Sequence, residues 1–199
     1  MGQDEVAQGK KNASRLAASL IFLDESGFLL APLVRRTWAP QGQTPILRQR
    51  TNTYRKLSAI AALVVSPRRD RVRLFFSFYP NANINAARVQ LFLRHLHRHI
   101  RGPGILLWDR FPAHRGRSVQ SYLAEKTAWR SEFLPAYAPE LNPMENVWCY
   151  MKTHSRTNEV VFDLVDLTES ARRHGRALQR RDGLLRSFLK HTPLFLRLK

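Results

Sequence analysis

Cysteine occurs once in this 199-residue chain, as Cys149, which excludes an internal disulfide and a cysteine-built zinc site. Long apolar runs are missing as well. The longest, LSAIAALVV from Leu57 to Val65, falls far short of the roughly 20 residues that cross a bilayer and reads as a buried strand. The N-terminus has charges but no apolar core ahead of a small-residue cleavage site, so nothing marks the chain for export. Its start, MGQDEV, lacks the Ser or Thr of a myristoylation signal. A folded cytoplasmic protein with no membrane partner is the expectation. Acids are scarce too: 15 Asp and Glu face 33 Lys and Arg, for a net charge of +18. That imbalance opposes compaction and favours a polyanionic partner, with nucleic acid the first choice. The length and 44% hydrophobic content suit one domain with an appendage.

Residues 1–18 are polar and read as a lead-in or linker. From Ser19 the run SLIFLDES, stopped by Ser26-Gly27 and resumed as GFLLAPLVRRTW, predicts a β-hairpin. YRKLSAIAALVVS and VRLFFSFYP predict two strands around the turn SPRRD. Ile84, Ala87, Leu91, Phe92, Leu96 and Ile100 recur at helical spacing, giving a helix over 84–100. ILLWD predicts a short buried strand, residues 118–127 a helix, and SEFLP a strand. Asn142-Pro143-Met144-Glu145 has the cap, the proline and the third-position acid of a helix start, and that helix runs to about His154. The order predicts an α/β layer structure with a mixed sheet over residues 19–155. Residues 156–199 form a basic helical tail, broken near Gly175 or Gly183; Asp182 is the lone acid among its last thirty residues, beside nine Lys and Arg.

With acids so few, their placement carries weight. Asp24 closes SLIFL and Asp109 closes ILLW, each at the carboxyl end of a predicted strand, where open α/β sheets bind ligands. Neighbouring strand residues face opposite ways, so of the pair Asp24-Glu25 only one is directed to a shared site; Asp24 is assigned there and Glu25 to the edge. A carboxylate ending a buried strand is costly without a cation. Asp24, Asp109 and Glu145 therefore read as a cage for divalent metal, Mg²⁺ by preference, and two such ions suit in-line displacement at phosphorus. Taken singly each has a plainer role, as turn residue or, for Glu145, as capping-box partner.

The segments FLDESGF, RRTWAPQGQTP, KLSAIAALV, ILLWDRFPAHR and LPAYAPELNPMENVWCYMK, in that order, resemble the DDE transposases of the Tc/mariner superfamily, in particular the bacterial IS-six-thirty insertion-sequence group. The resemblance implies a ribonuclease-H-like sheet flanked by helices. It places the metal-binding catalytic acids on Asp24, Asp109 and Glu145, with the last in NPMEN rather than at Glu140. Thirty-five residues, 110 to 144, separate Asp109 from Glu145, one more than is usual in that family. It further implies two Mg²⁺ ions, replaceable by Mn²⁺, and DNA cut at transposon ends and joined to a target, usually at TA, by a homodimer. Arg110 stands where many relatives have Asn. No helix-turn-helix region precedes Ser19, so the chain is expected to be the catalytic half, served by a separate subunit or a frameshift-fused N-terminal domain. The competing expectation is a catalytically inactive, basic nucleic-acid-binding remnant of a transposase.

His114 matches a histidine common in that family and is expected to orient a phosphate or support the acids, as is Lys152 from its helix. Arg35, Arg36, Arg110, Arg115, Arg172 and Arg173 are the expected DNA contacts, each adding salt-dependent affinity. His95 and His99 share a helix face at a zinc-like spacing, but Leu96 stands where the glutamate of that signature belongs, so they read as a solvated basic face. Trp38 and Trp148 are expected to serve in packing.

Overall fold

The computed structural model describes residues 17–30, 40–43, 55–153, 161–194 and 198. Its centre is strand β1 (Ser19–Leu29), which pairs antiparallel with β2 (Lys56–Val65) and parallel with β4 (Gly104–Trp108). β3 (Val72–Pro80) lies antiparallel beyond β2, and β5 (Trp129–Phe133) lies parallel beyond β4, giving the order β3-β2-β1-β4-β5. The sheet is thus mixed, as the element order predicts. β1 and β2 are buried on both sides, which is why they read as continuous apolar runs.

The hairpin expected at Ser26-Gly27 does not form. β1 continues through it, with Ser26 opposite Ala59 and Gly27 opposite Ser58. A Ser-Gly pair signals a turn only when its two flanks pair with each other, and here β2 offers a ten-residue partner instead. Glu25, assigned to an edge because that turn was expected, is therefore an interior strand residue. The turn between β2 and β3 does form. Ser66 Oγ accepts from the backbone N–H groups of Asp70 and Arg71, and Arg69 takes a left-handed φ of 62°.

Helices cover both faces. On one side α1 (Ala86–His99, capped by Asn85) and α2 (Arg117–Glu125) enclose Ile21, Leu23, Ile60, Val64 and Trp108. On the other, α3 (Pro143–Thr153), α4 (Leu164–Gln179) and α5 (Asp182–Lys190) enclose Leu20, Phe22, Phe28, Leu63 and Leu107. The helices of the basic C-terminal segment put Leu167, Ala171, Leu178, Leu185 and Phe188 into this second core. α4 runs unbroken through Gly175, where a Cβ would lie 2.8 Å from the Phe76 ring; glycine lets the helix approach the sheet. The break falls at Arg180-Arg181, just ahead of Gly183. No described helix is long and apolar enough to cross a membrane.

This layout fixes the site. The last β1–β4 pair is Phe22 with Leu107. Asp24 and Asp109 each come two residues later, so parallel pairing delivers both carboxylates to one end of the sheet.

Candidate active site

Asp24, Asp109 and Glu145 line a single cleft of about 440 Å³, together with Arg110, Phe111, Asn142 and the Leu134–Pro139 loop. Asp24 is 8% exposed, and its Oδ2 accepts the indole N–H of Trp148 at 3.0 Å. Burial, reinforced by the charges of Glu25, Glu145 and Asp109 and opposed by the Trp148 bond, pushes its carboxyl up to about 7.

Asp109 is held differently. Its Oδ1 accepts the backbone N–H of Phe111 at 3.0 Å and lies 3.1 Å from Nδ1 of His114. The bond from His114, against partial burial, keeps its carboxyl below the ordinary range. His114 is fully buried, stacks on Trp108 with centroids 4.2 Å apart, and sets Nε2 3.0 Å from Oε1 of Glu25. Burial alone would lower its pKa, but the bonds to Asp109 and Glu25 outweigh it and raise the ring to about 9. Its Nε2 bonds the Glu25 carboxylate, and its Nδ1 bonds the backbone carbonyl of Asp109 at 3.1 Å with the Asp109 carboxylate equally near.

Ligand atoms of Glu25, Asp109 and His114 lie within 4.8 Å of one another, close enough in principle for a metal. With Nε2 3.0 Å from Glu25 and Nδ1 3.1 Å from Asp109, the three form an ion-paired strut from β1 to the end of β4. Glu145 stands exposed in the first turn of α3. Asn142 caps that helix through Oδ1, which accepts from Met144 N–H at 3.1 Å. The backbone N–H of Asn142, which a capping-box glutamate would take, instead donates to Pro139 O at 2.9 Å. Glu145 thus has its carboxylate free of the cap. Asp24, Asp109 and Glu145 give the cleft an all-oxygen donor set of the kind a hard divalent cation takes, with Asp24 pushed toward neutrality by its burial first and then by the neighbouring acids.

Of the other residues expected to act, Arg110 lines the cleft. His114 touches Asp109 directly, while Lys152 sits 5.8 Å over the Phe28 ring and is not among the lining residues. Arg115 lies over Phe133. Arg172 and Arg173 are exposed on α4, where they border an open groove with Arg176 and Arg180. Arg35, Arg36 and Trp38 lie outside the described residues. His95 and His99 pack their rings around Phe75, and burial, then His99 and Arg98, lower the His95 pKa. Sequence reasoning missed two residues. Strand alternation correctly separates Glu25 from Asp24, yet the opposite face carries His114; Trp148, read as packing, also bonds Asp24. The signal for Trp148 was its place three residues after Glu145, on the same helix face.

A family model described as DDE superfamily endonuclease matches residues 19–168. Among solved structures, the Mos1 mariner paired end complex with Mn aligns at a TM-score of 0.63 and 19% identity, covering 96% of this chain and 60% of that one. The Mos1 strand transfer complex aligns at 0.61 and 21%, over 96% and 58%. The isolated catalytic domain of Mos1 mariner transposase aligns at 0.56 and 16%, over 95% and 86%. The chain therefore spans about three fifths of the length of the Mos1 chains in the first two complexes. At these identities the likeness establishes the fold. No curated protein sequence matches the chain significantly.

Proposed function

The chain belongs to the DDE superfamily endonucleases, and from that membership we propose that it is the catalytic domain of a DNA transposase of Tc/mariner type, cutting and joining DNA by metal-dependent phosphoryl transfer. The observation that carries this reading is the convergence of Asp24, Asp109 and Glu145 on one cleft of a +18 protein. The three acids would hold two Mg²⁺ or Mn²⁺ ions. Bound there, the ions supply Lewis-acid stabilisation of the attacking and leaving oxygens in an in-line displacement.

The protein's own groups prepare that chemistry. Trp148 holds Asp24 by one oxygen and leaves the other for the cleft. Phe111 N–H and His114 fix the direction of Asp109, and Glu25 keeps His114 in place. Arg110, on the cleft wall, meets a phosphate that the acids alone would repel. Transposon ends and a TA target are the DNA partners that suit this reading, in a homodimer whose end recognition comes from a helix-turn-helix unit, all within the bacterial nucleoid. Support for DNA as partner comes from the excess of basic residues and from the Mos1 complexes, one of which is a paired-end complex with a left transposon end.

The test is cleavage of element-end DNA in Mg²⁺ or Mn²⁺ by the purified chain and by Asp24→Asn and Asp109→Asn. Wild-type nicking to a 3′-hydroxyl, lost in both variants, is expected. Salt-sensitive DNA binding with no cleavage in any metal would mean that the inactive, DNA-binding remnant is the correct reading.

A further inference from the structure

Tyr137 has 102% exposure and a left-handed backbone φ of 58°, and it stands on the wall of the acid cleft. A non-glycine residue in that conformation costs about 1 kcal/mol or more, and such strain gathers at functional sites. The aromatic ring gains nothing in return from burial. Phe111, which lines the same cleft beside Asp109, is also exposed, at 37%. The wall that carries Tyr137, Leu134-Pro135-Ala136-Tyr137-Ala138-Pro139, has no charged residue. It therefore has no side chain that grips a phosphate, while the alanines flanking Tyr137 leave both ring faces open.

Here we propose that Tyr137, with Phe111 as the second aromatic of the cleft, forms a stacking subsite for an unpaired nucleobase next to the scissile phosphate. This rests on the phosphoryl-transfer reading of the same cleft. The cleft's three acids Asp24, Asp109 and Glu145 repel a DNA strand until cations arrive. Stacking on an uncharged ring holds the strand without competing for those cations, and it is tolerant of sequence because every base offers a π-face. Arg110 then takes the adjoining phosphate. The subsite also selects for DNA opened at the cut, since a paired and stacked base has no free face to present.

The probe is a forked DNA duplex with an unpaired 2-aminopurine nucleotide at the fork, compared with its fully paired counterpart. Binding and fluorescence are read in Ca²⁺ buffer, with cleavage in Mg²⁺ followed separately. Wild type is expected to prefer the fork and quench its fluorescence. Tyr137→Ala should lose the quenching and weaken fork binding by roughly tenfold or more, with paired-duplex binding unchanged; Tyr137→Phe should retain both, because the ring is what acts. Full exposure makes misfolding of either variant no concern. Equal fork preference and quenching in wild type and Tyr137→Ala, or no fork preference in wild type, would overturn the subsite. If Tyr137-dependent quenching appears without any Mg²⁺ cleavage, the subsite stands and the nuclease reading fails. If cleavage proceeds but Tyr137→Ala changes neither readout, the nuclease reading stands alone.

Discussion

The indole N–H of Trp148 donates to Oδ2 of Asp24 across 3.0 Å, joining helix α3 to the middle of strand β1 inside the core. Because Glu145 lies three residues before Trp148 on α3, this one bond also sets the rotation at which Glu145 meets the cleft. Phe28, four residues along β1, packs edge-on against the same indole with centroids 6.0 Å apart. Trp148→Phe should keep much of that packing but leave a buried carboxylate short of a donor. Urea unfolding is expected to show a loss of about 1–3 kcal/mol. Cleavage should fall more than stability does, with the Mg²⁺ requirement shifted to higher concentration.

Asp24 also gives the metal-free protein a pH signature. Its folded-state carboxyl, near 7 against 3.8 as the ordinary value, binds a proton that the unfolded chain has already released. The folded state is then favoured less as pH rises from about 4 to 7, by up to about 4 kcal/mol from this group. In chelator, stability should decline over that window, and Asp24→Asn should flatten the decline. Adding Mg²⁺ at pH 7 should restore stability to wild type but not to the variant. A pH-independent wild type in chelator would count against a carboxyl raised by burial and by the acids around it.

The Glu25–His114–Asp109 strut gives a second, more alkaline window of the same sign. His114 is raised to about 9 from 6.5, so its stabilisation is complete below 6.5 and disappears as pH climbs through 9. Glu25→Gln keeps an acceptor for Nε2 but removes the charge, so the alkaline loss should begin at lower pH. His114→Ala removes the strut and the ring stacked on Trp108, at an expected cost of about 3–5 kcal/mol. Thermal melts between pH 6 and 10 measure both.

Glu145 separates catalysis from folding. Its side chain is exposed and Pro139 satisfies the backbone donor that a capping box would use. Glu145→Ala, which removes any capping partner as well as the charge, should therefore change stability by no more than about 0.5 kcal/mol while abolishing metal-dependent cleavage. A loss near 1 kcal/mol with cleavage intact would return Glu145 to the capping role.

How far these features were legible in the sequence depends on whether they were local. Asp24 and Asp109 were readable because each closes an apolar run, and parallel pairing of β1 with β4 carries both runs to the same end of β4. The helix start at Asn142 was readable because its cap is written in four consecutive residues. The false hairpin at Ser26-Gly27 arose because a turn signal says nothing of a better partner thirty residues on. Glu25 and Trp148 escaped because their partners, His114 and Asp24, are 89 and 124 residues away. No spacing rule within one element reports such contacts.

The arginines of α4 allow a test of where DNA lies beyond the cleft. Arg172, Arg176 and Arg180 recur every four residues, so the stripe follows one side of the helix and continues past its end at Gln179, and they border one open groove. The apolar side of α4 is committed to the core through Leu167, Ala171 and Leu178. α4 packs on β3 and β2, at the edge of the sheet away from β4 and β5. The stripe is therefore separate from the acids, and a duplex contacting both must pass beneath or around this edge. Replacing all three arginines by Gln should leave the fold intact, because each is exposed. It should lower DNA affinity for every sequence alike and reduce the slope of log affinity against log salt by about 2.7, at about 0.9 for each phosphate left without its arginine. Cleavage at saturating DNA should be unchanged, since no member of the stripe lines the acid cleft. An unaltered salt slope would remove α4 from the DNA path and leave Arg110 and the cleft as the contact to pursue.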